Sequence, residues 1–283
     1  WFAFAEAGLP LDFPASEVTL RPPFPVERIH LGGQAQWLYG VDPTGRVVLW
    51  DVTFKDAPEE VETRTLTDGR TVTASELLLG GFSLLVGDTS GTVRQWFPVR
   101  GPHGAWRLPS PRAFEAGFEP SRLVHESRRK GFVALSDEGD LGLYHTTAHR
   151  TLLERPLLPT RPVDAVLSPR GDYLLALAAD GALHRVAIEN EHPEVSFRSL
   201  WAPVWYEGYD EPVLSWQSSS ASNDFEPKFS LTPLAFGTLK AALYAMLFAM
   251  PLAIMGAIYT AYFMAPVMRS WVKPTIEIME ALP

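Results

Sequence analysis

Two histidines stand four residues apart in His145-Thr146-Thr147-Ala148-His149. On a helix that spacing puts both imidazoles on one face, where they could share a metal ion. They follow an alternating apolar run that reads as a strand, and no glutamate lies between them, so a loop in contact with water is expected. Glu277 and Glu280 stand three apart, on one face of an expected helix. Paired carboxylates serve acid–base chemistry, but the plainer reading is the charged entry to a following helix. Arg170-Gly171-Asp172 reads as a turn, and Arg128-Arg129-Lys130, the longest basic run, as a solvated loop. With no cysteine, disulfides, thiolate catalysis and Cys-ligated zinc are excluded. No phosphate-cradling Gly-rich loop, Walker motif or nucleophile elbow occurs. A net charge of −9 argues against binding nucleic acid through its phosphates. No catalytic residue, cofactor or metal ligand is therefore expected.

The elements that would carry these residues are of two kinds. Before residue 230 four units recur: "VDPTGRVVLWDV" (41–52), "GDTSGTVRQWFPV" (87–99), "SDEGDLGLYHT" (136–146) and "AADGALHRVAI" (178–188). Their glycines, Gly45, Gly91, Gly139 and Gly181, are spaced by 46, 48 and 42 residues. Asp and Gly favour a tight turn, because Gly reaches positive φ without strain and Asp bonds nearby backbone. An apolar run precedes each turn and an alternating run follows it, predicting four hairpins. Val47 and Leu49 set against Arg46 and Val48 predict one buried face and one wet face. A period of 42–48 residues with short strands matches a β-propeller blade. The pattern resembles a WD-repeat over residues 26–200, with Trp50-Asp51 as the complete Trp-Asp pair and Trp96 and Tyr144 without the Asp. Another antiparallel sandwich or meander fits the same runs. Four units sit at the lower limit for a closed ring, so an incomplete, edge-bearing array completed by further blades upstream is expected. Trp50 and Trp96 fit blade packing.

Residues 201–234 read as an aromatic and Ser-rich linker, with "SSSASND" (218–224) as its flexible part. Its aromatics suit either a water–lipid interface or a cap on the propeller. Residues 241–268 then contain no Asp, Glu, Lys or Arg. Twenty-eight residues of helix extend about 42 Å, against a hydrocarbon core of about 30 Å. A transmembrane helix is expected over 235–268, with Lys240 snorkelling at its edge; a fully buried soluble helix is the alternative. Pro251 lies mid-span and should kink the helix near Leu247. Gly256, Ala257, Thr260 and Ala261 offer a small-residue face for close helix packing. Residues 269–283 read as a loop and the start of a second helix. Trp1 in place of Met and the hydrophobic turn at Pro283 suggest a fragment; residues 1–25 read as an N-terminal segment, such as the trailing end of an earlier span. The expected fold is thus an all-β, propeller-like soluble domain followed by a transmembrane α-helix.

"FGTLKAALYAMLFAMPLAIMGAIYTAYF" followed by "VKPTIEIMEALP" resembles the permease subunits of phosphate ABC importers. The resemblance is carried by Thr238-Leu239, Pro251-Leu252-Ala253, Ile258-Tyr259, Pro274, Glu277, Glu280-Ala281 and Pro283, over about 50 residues in family order. It implies a transporter core of two permease subunits in the bacterial inner membrane. Separate ATPase subunits would bind the ATP, and a periplasmic phosphate-binding protein would deliver the solute. It also implies that residues 1–234 are periplasmic and that 269–283 face the cytoplasm. Charge does not choose an orientation: Lys228 and Lys240 precede the span, Arg269 and Lys273 follow it. Ordinary members have a short external segment here, so the blade-like insert departs from the family and suggests a platform for protein interaction. A membrane-anchored propeller scaffold without transport remains the other reading.

Overall fold

The four repeats fold as four hairpins. Their glycines all take left-handed backbone, with φ of 84° at Gly45, 83° at Gly91, 93° at Gly139 and 82° at Gly181. In the first two turns the carboxylate at the head organises the backbone. The Asp42 carboxylate accepts the Arg46 N–H at 2.8 Å, and Asp88 accepts the Ser90 N–H at 2.8 Å. Burial alone would raise both carboxyl pKa values; the donors from Arg46 and Thr44, and from Ser90 and Arg94, hold them below the usual range instead. Arg170-Gly171-Asp172 is the expected turn, tied by the Gly171 N–H to Ser168 O at 2.9 Å.

The computed structural model describes residues 17–101, 104–222 and 225–281, with side chains through residue 279 in the last stretch. The chain divides into two compact units, Trp1–Ser230 and Leu231–Pro283. In the first, the hairpins grow into four antiparallel sheets. Blade 1 is β1 (Arg28–Leu31), β2 (Trp37–Val41), β3 (Arg46–Asp51) and β4 (Glu59–Thr65). Blade 2 is β5 (Val72–Leu77), β6 (Leu84–Asp88) and β7 (Thr92–Trp96). After a small excursion through β8 (Val99–Arg100) and β9 (Trp106–Arg107), β10 (Arg112–Glu115) returns to pair with β7 as its fourth strand. Blade 3 is β11 (Arg122–His125), β12 (Gly131–Leu135), β13 (Asp140–His145) and β14 (Arg150–Pro156). Blade 4 has three strands, β15 (Pro162–Leu167), β16 (Tyr173–Ala178) and β17 (Leu183–Ala187).

Side-chain alternation shows how the sheets stack. On β6, Leu84 and Val86 pack toward blade 1 while Leu85 packs toward blade 3. On β12, Phe132 and Ala134 pack toward blade 2 while Val133 and Leu135 pack toward blade 4. Successive side chains point to opposite faces of a strand, so a strand between two neighbours needs apolar residues at every position. The expectation of one wet face is therefore corrected for these blades. Even in blade 1, Val48 and Trp50 are covered by Phe24, with Leu20 and Val26 alongside. Trp96 is buried between blades 1 and 2.

The first strands of the blades adjoin in the order β1, β5, β11, β15. Side chains stitch them: His30 Nε2 to Ser75 Oγ at 2.8 Å, His125 Nδ1 to Glu76 Oε1 at 3.2 Å, and Arg122 NH1 to Asp164 Oδ1 at 3.0 Å. Among the described residues no comparable seam joins β15 back to β1. The array is an open propeller-like arc. On the outward face of blade 4, Leu183 is 71% exposed, with Val166 and Leu177 beside it.

Residues 201–230 correct the linker expectation. After α1 (Phe197–Trp201) the chain forms a bridge between Val204 and Val213, then a small hairpin of β18 (Trp216–Gln217) and β19 (Lys228–Phe229). Tyr206, Glu226 and Ser230 are buried. The segment is a cap on the blades, because its Glu207 finds Lys130 there and its Glu226 finds the Thr147 hydroxyl. Residues 223–224 of the expected flexible part lie outside the described residues, as do residues 1–16 and Pro283.

The second unit is helical. Its first helix, α2 (Thr232–Ile258), continues into a π-helical turn at Tyr259–Phe263. The helical run therefore starts three residues before the expected 235 and stops five before the expected 268. Pro233 is tolerated in the first turn, where its missing N–H would have no partner. At Met264 the backbone turns extended, with ψ 134°, and the residue before Pro266 is disfavoured as helix. Helix α3 (Pro266–Ala281) follows.

Candidate functional site

The three turns that connect first to second strands in blades 1, 2 and 3 converge at one end of the arc. With the cap they line a half-open pocket of about 240 Å³ that includes Gly32, Gln36, Trp37, Gly81, Lys130 and Glu207. Its wall is backbone against backbone. A Cβ on Gly81, where φ is +66°, would lie 2.2 Å from the Gly33 nitrogen. Gly81→Ala is therefore expected to cost about 1–3 kcal/mol from backbone strain alone, with the clash adding to it. Urea unfolding followed by tryptophan fluorescence measures this, and a loss under about 0.5 kcal/mol, the range of ordinary surface changes, would contradict it.

Lys130 comes from the basic run expected in water, yet it is only 2% exposed. Its Nζ donates to Glu207 Oε2 at 2.6 Å and to Leu79 O at 2.6 Å. Arg129 of the same run donates to Glu126 Oε2 at 2.8 Å and to Asn190 O at 2.7 Å; of the three, Arg128 alone fits the solvated reading. The other oxygen of Glu207 accepts the Ser83 hydroxyl at 2.5 Å. Ser83 in turn accepts from Gln95 Nε2 at 2.9 Å, and Gln95 Oε1 accepts from Arg112 NH1 at 2.8 Å. Arg112 also donates to the Trp205 carbonyl. The backbone N–H of Glu207 donates to Glu226 Oε2 at 2.9 Å, and Thr147 Oγ1 donates to Glu226 Oε1 at 2.5 Å. One connected network thus binds the cap to blades 2 and 3. Burial pushes the Glu207 carboxyl pKa up, and the Lys130 charge and hydrogen bond oppose that push. Each ionic group is committed to the other, so the geometry holds a structure together. No side chain in this network has the form of an activated nucleophile.

The histidine pair separates. His145 is buried, not in a wet loop, and its Nδ1 accepts the Ala148 N–H at 3.2 Å. His149 Nε2 lies 3.0 Å from Ala113 O, with its ring edge-on to Phe114. Burial, then the charges of Arg129, Arg112 and Arg150, push the His145 pKa down to about 3. The folded protein thus keeps this ring neutral while the unfolded chain protonates it below about 6.5. Stability should fall as the pH drops from about 6.5 toward 3, by up to about 1.4 kcal/mol per pH unit. His145→Asn should shrink the stability difference between pH 7 and pH 5 by about 2 kcal/mol, as read by urea unfolding at the two pH values. An unchanged difference would contradict the assignment.

In α2 no side chain is buried in the structure, and its apolar residues surround the axis. Among the described residues, Thr232–Phe263 is one helical run long and apolar enough to cross a membrane. At about 1.5 Å per residue its 32 residues extend about 48 Å. Thr238 Oγ1 donates to Leu234 O at 2.9 Å and Leu239 is exposed. Pro251 sits within the continuous helix and removes the backbone bond to Leu247 O. Gly256 and Ala257 lie in the last turn of the α-helical part, whereas Thr260 and Ala261 lie in the π turn, where Thr260 Oγ1 donates to Gly256 O at 2.7 Å. The residues expected as one packing face thus straddle a change of helical pitch, a feature frequent at functional sites. Pro274 and Glu277 lie within α3, as does position 280. A longer small-residue pattern was legible and missed: Gly237, Ala241, Ala245, Ala249, Ala253 and Ala257 recur every four residues, along one inclined ridge of the helix. The Lys130–Glu207 pair gave no sequence signal, since its members are 77 residues apart.

Fold and site together define an open, WD-like β-propeller array joined in one chain to a candidate membrane-spanning helix. No family model and no curated protein matches the chain. Among solved structures it is similar to a chain of a mitotic checkpoint complex, at 17% identity and TM-score 0.45, over 57% of this chain and 48% of that one. It is similar to the Cps50 (Swd1) β-propeller domain of Myceliophteria thermophila, at 14% identity and TM-score 0.47, over 57% and 52%. It is also similar to Sqt1 from Chaetomium thermophilum, at 12% identity and TM-score 0.44, over 56% and 42%. The chain thus spans about half the length of these structures or less. The blade assignment rests on the sheet order and the alternating cores described above.

Proposed function

We propose that the chain belongs to the membrane-spanning permease subunit of a phosphate ABC importer, with the blade array as a periplasmic insert for protein interaction. The observation that carries this reading is α2. It is apolar around its whole circumference, is long enough to cross a bilayer, carries Pro251 near its middle and bears a ridge of small residues. A lone anchor needs neither proline nor ridge, whereas a member of a helix bundle uses both. The resemblance at Thr238-Leu239, Pro251, Pro274, Glu277, Glu280 and Pro283 supplies the solute. In this reading a second permease subunit packs on the helix, ATP is hydrolysed on a separate ATPase subunit, and a periplasmic phosphate-binding protein delivers the substrate. The chain itself is not an enzyme and binds no cofactor. It sits in the bacterial inner membrane with residues 1–234 outside, and transport proceeds by alternating access of the bundle.

A membrane-anchored propeller scaffold is the second reading, favoured by the size of the first unit, Trp1–Ser230, relative to the helical one. Uptake of labelled phosphate by the full-length protein with its partner subunits separates the two. Uptake that requires the α2-bearing subunit supports the importer. A chain that stays in the membrane while no phosphate enters supports the scaffold. Deleting residues 26–230 in the same assay shows whether the insert bears on transport.

A further inference from the structure

Helix α3 differs from α2 in its chemistry. At about 100° per residue, Val267, Trp271 and Ile278 fall on one side of it, flanked by Met268, Val272 and Met279. Arg269, Lys273 and Glu277 fall on the other side. Trp271, Ile278 and Met279 are exposed, so the apolar side is uncovered in the unit as folded. Were α3 to cross a bilayer, its charged strip would have to enter lipid, at a cost of about 2.5–3.5 kcal/mol for each cation at the centre.

Its position supplies the occupant. Only Met264 and Ala265 separate the end of the π turn from Pro266, and Met264 is extended. Thus α3 begins where the apolar run ends and does not continue its axis. The bend is held by Arg269, whose NH2 donates to Ala261 O at 2.6 Å and to Met264 O at 3.4 Å. These carbonyls lie at the helix end, where no following turn satisfies them. The Arg269 guanidinium therefore sits on backbone where the apolar run ends, with its Nε buried and unpaired.

We propose that α3 lies flat in the membrane–water interface, its Val267–Trp271–Ile278 side in the acyl boundary and its Lys273–Glu277 side in water. The proposal rests on reading α2 as a membrane span. The partner is the lipid surface itself, held by apolar area. Arg269 is engaged with backbone and Lys273 has Glu277 four residues on, so anionic headgroups add little.

The chain has no cysteine, so single cysteines can be read without background. Spin labels on Ile278→Cys, Glu277→Cys and, as a reference in α2, Ala249→Cys are placed in the full chain reconstituted in phosphatidylcholine vesicles, with and without phosphatidylglycerol. Oxygen and a water-soluble nickel chelate report depth. The label at 278 should lie about 5–10 Å below the headgroup boundary, that at 277 in water, and neither should move with phosphatidylglycerol or high salt. Equal aqueous exposure at 277 and 278 overturns the proposal. So does a lipid-deep label at both positions, which would make α3 a second span. So does shielding of 278 from both reagents, which would make its cover a protein. A water-exposed label at 249 overturns the span, whereas a deep 249 with an aqueous 278 overturns only the placement of α3.

Discussion

Lys130→Met is expected to destabilise the blade unit by about 3–5 kcal/mol, because it leaves the Glu207 carboxylate buried without its cation. Glu207 would keep the Ser83 hydroxyl at 2.5 Å, one neutral donor in place of a charged one. Its already raised pKa would climb further, since the Lys130 charge is what opposes burial. The double variant Lys130→Met, Glu207→Met removes both charges and should recover most of the loss, because a buried pair often contributes little over an apolar pair of similar volume. Ser83, Gln95 and Arg112 would still hold one another, so the cap should stay in place. Urea unfolding of the wild type, both singles and the double gives the coupling directly. A single-variant loss below about 1 kcal/mol, the range of exposed ion pairs, would show that the pair is wet in solution.

Phe248→Arg combined with Leu252→Arg is expected to release the chain from membranes. Each arginine near the centre of a span costs about 2.5–3.5 kcal/mol, so the two together cost about 5–7 kcal/mol. Eight Leu, Ile, Phe and Val residues between 241 and 268 contribute about −0.3 to −0.6 kcal/mol each, roughly −2.4 to −4.8 in total. The substitution outweighs the sum. Alkaline carbonate should leave the wild type in the membrane pellet and carry the variant to the supernatant. A wild type that washes off would end the span reading, and with it the importer. A variant that stays behind would mean that something other than α2 holds the chain.

What could be read from the residues in order was what depends on near neighbours. The Asp-to-Gly turns at 42–45 and 88–91 are local: one carboxylate bonds backbone within four residues, and one glycine takes the left-handed backbone. The apolar length of α2 is also local, since solvation of a helix depends on its own side chains. Hence four blades and one lipid-ready helix were legible, and so was the burial of Trp50 and Trp96. The ridge of small residues from Gly237 to Ala257 was equally open to reading.

Tertiary structure decided the rest. Whether Val48 meets water or Phe24 depends on which segment lies across the sheet, and no period along β3 encodes that. Lys130 reads as one of three solvated cations until the cap brings Glu207 to 2.6 Å from it; charge in sequence is a count, whereas burial is a property of the surrounding atoms. Residues 201–230 look like a linker because their carboxylates and aromatics have no partner nearby in the chain. Their partners, Ser83, Arg112, Lys130 and Thr147, lie on blades folded far upstream, and only the packing of those blades side by side places them within reach.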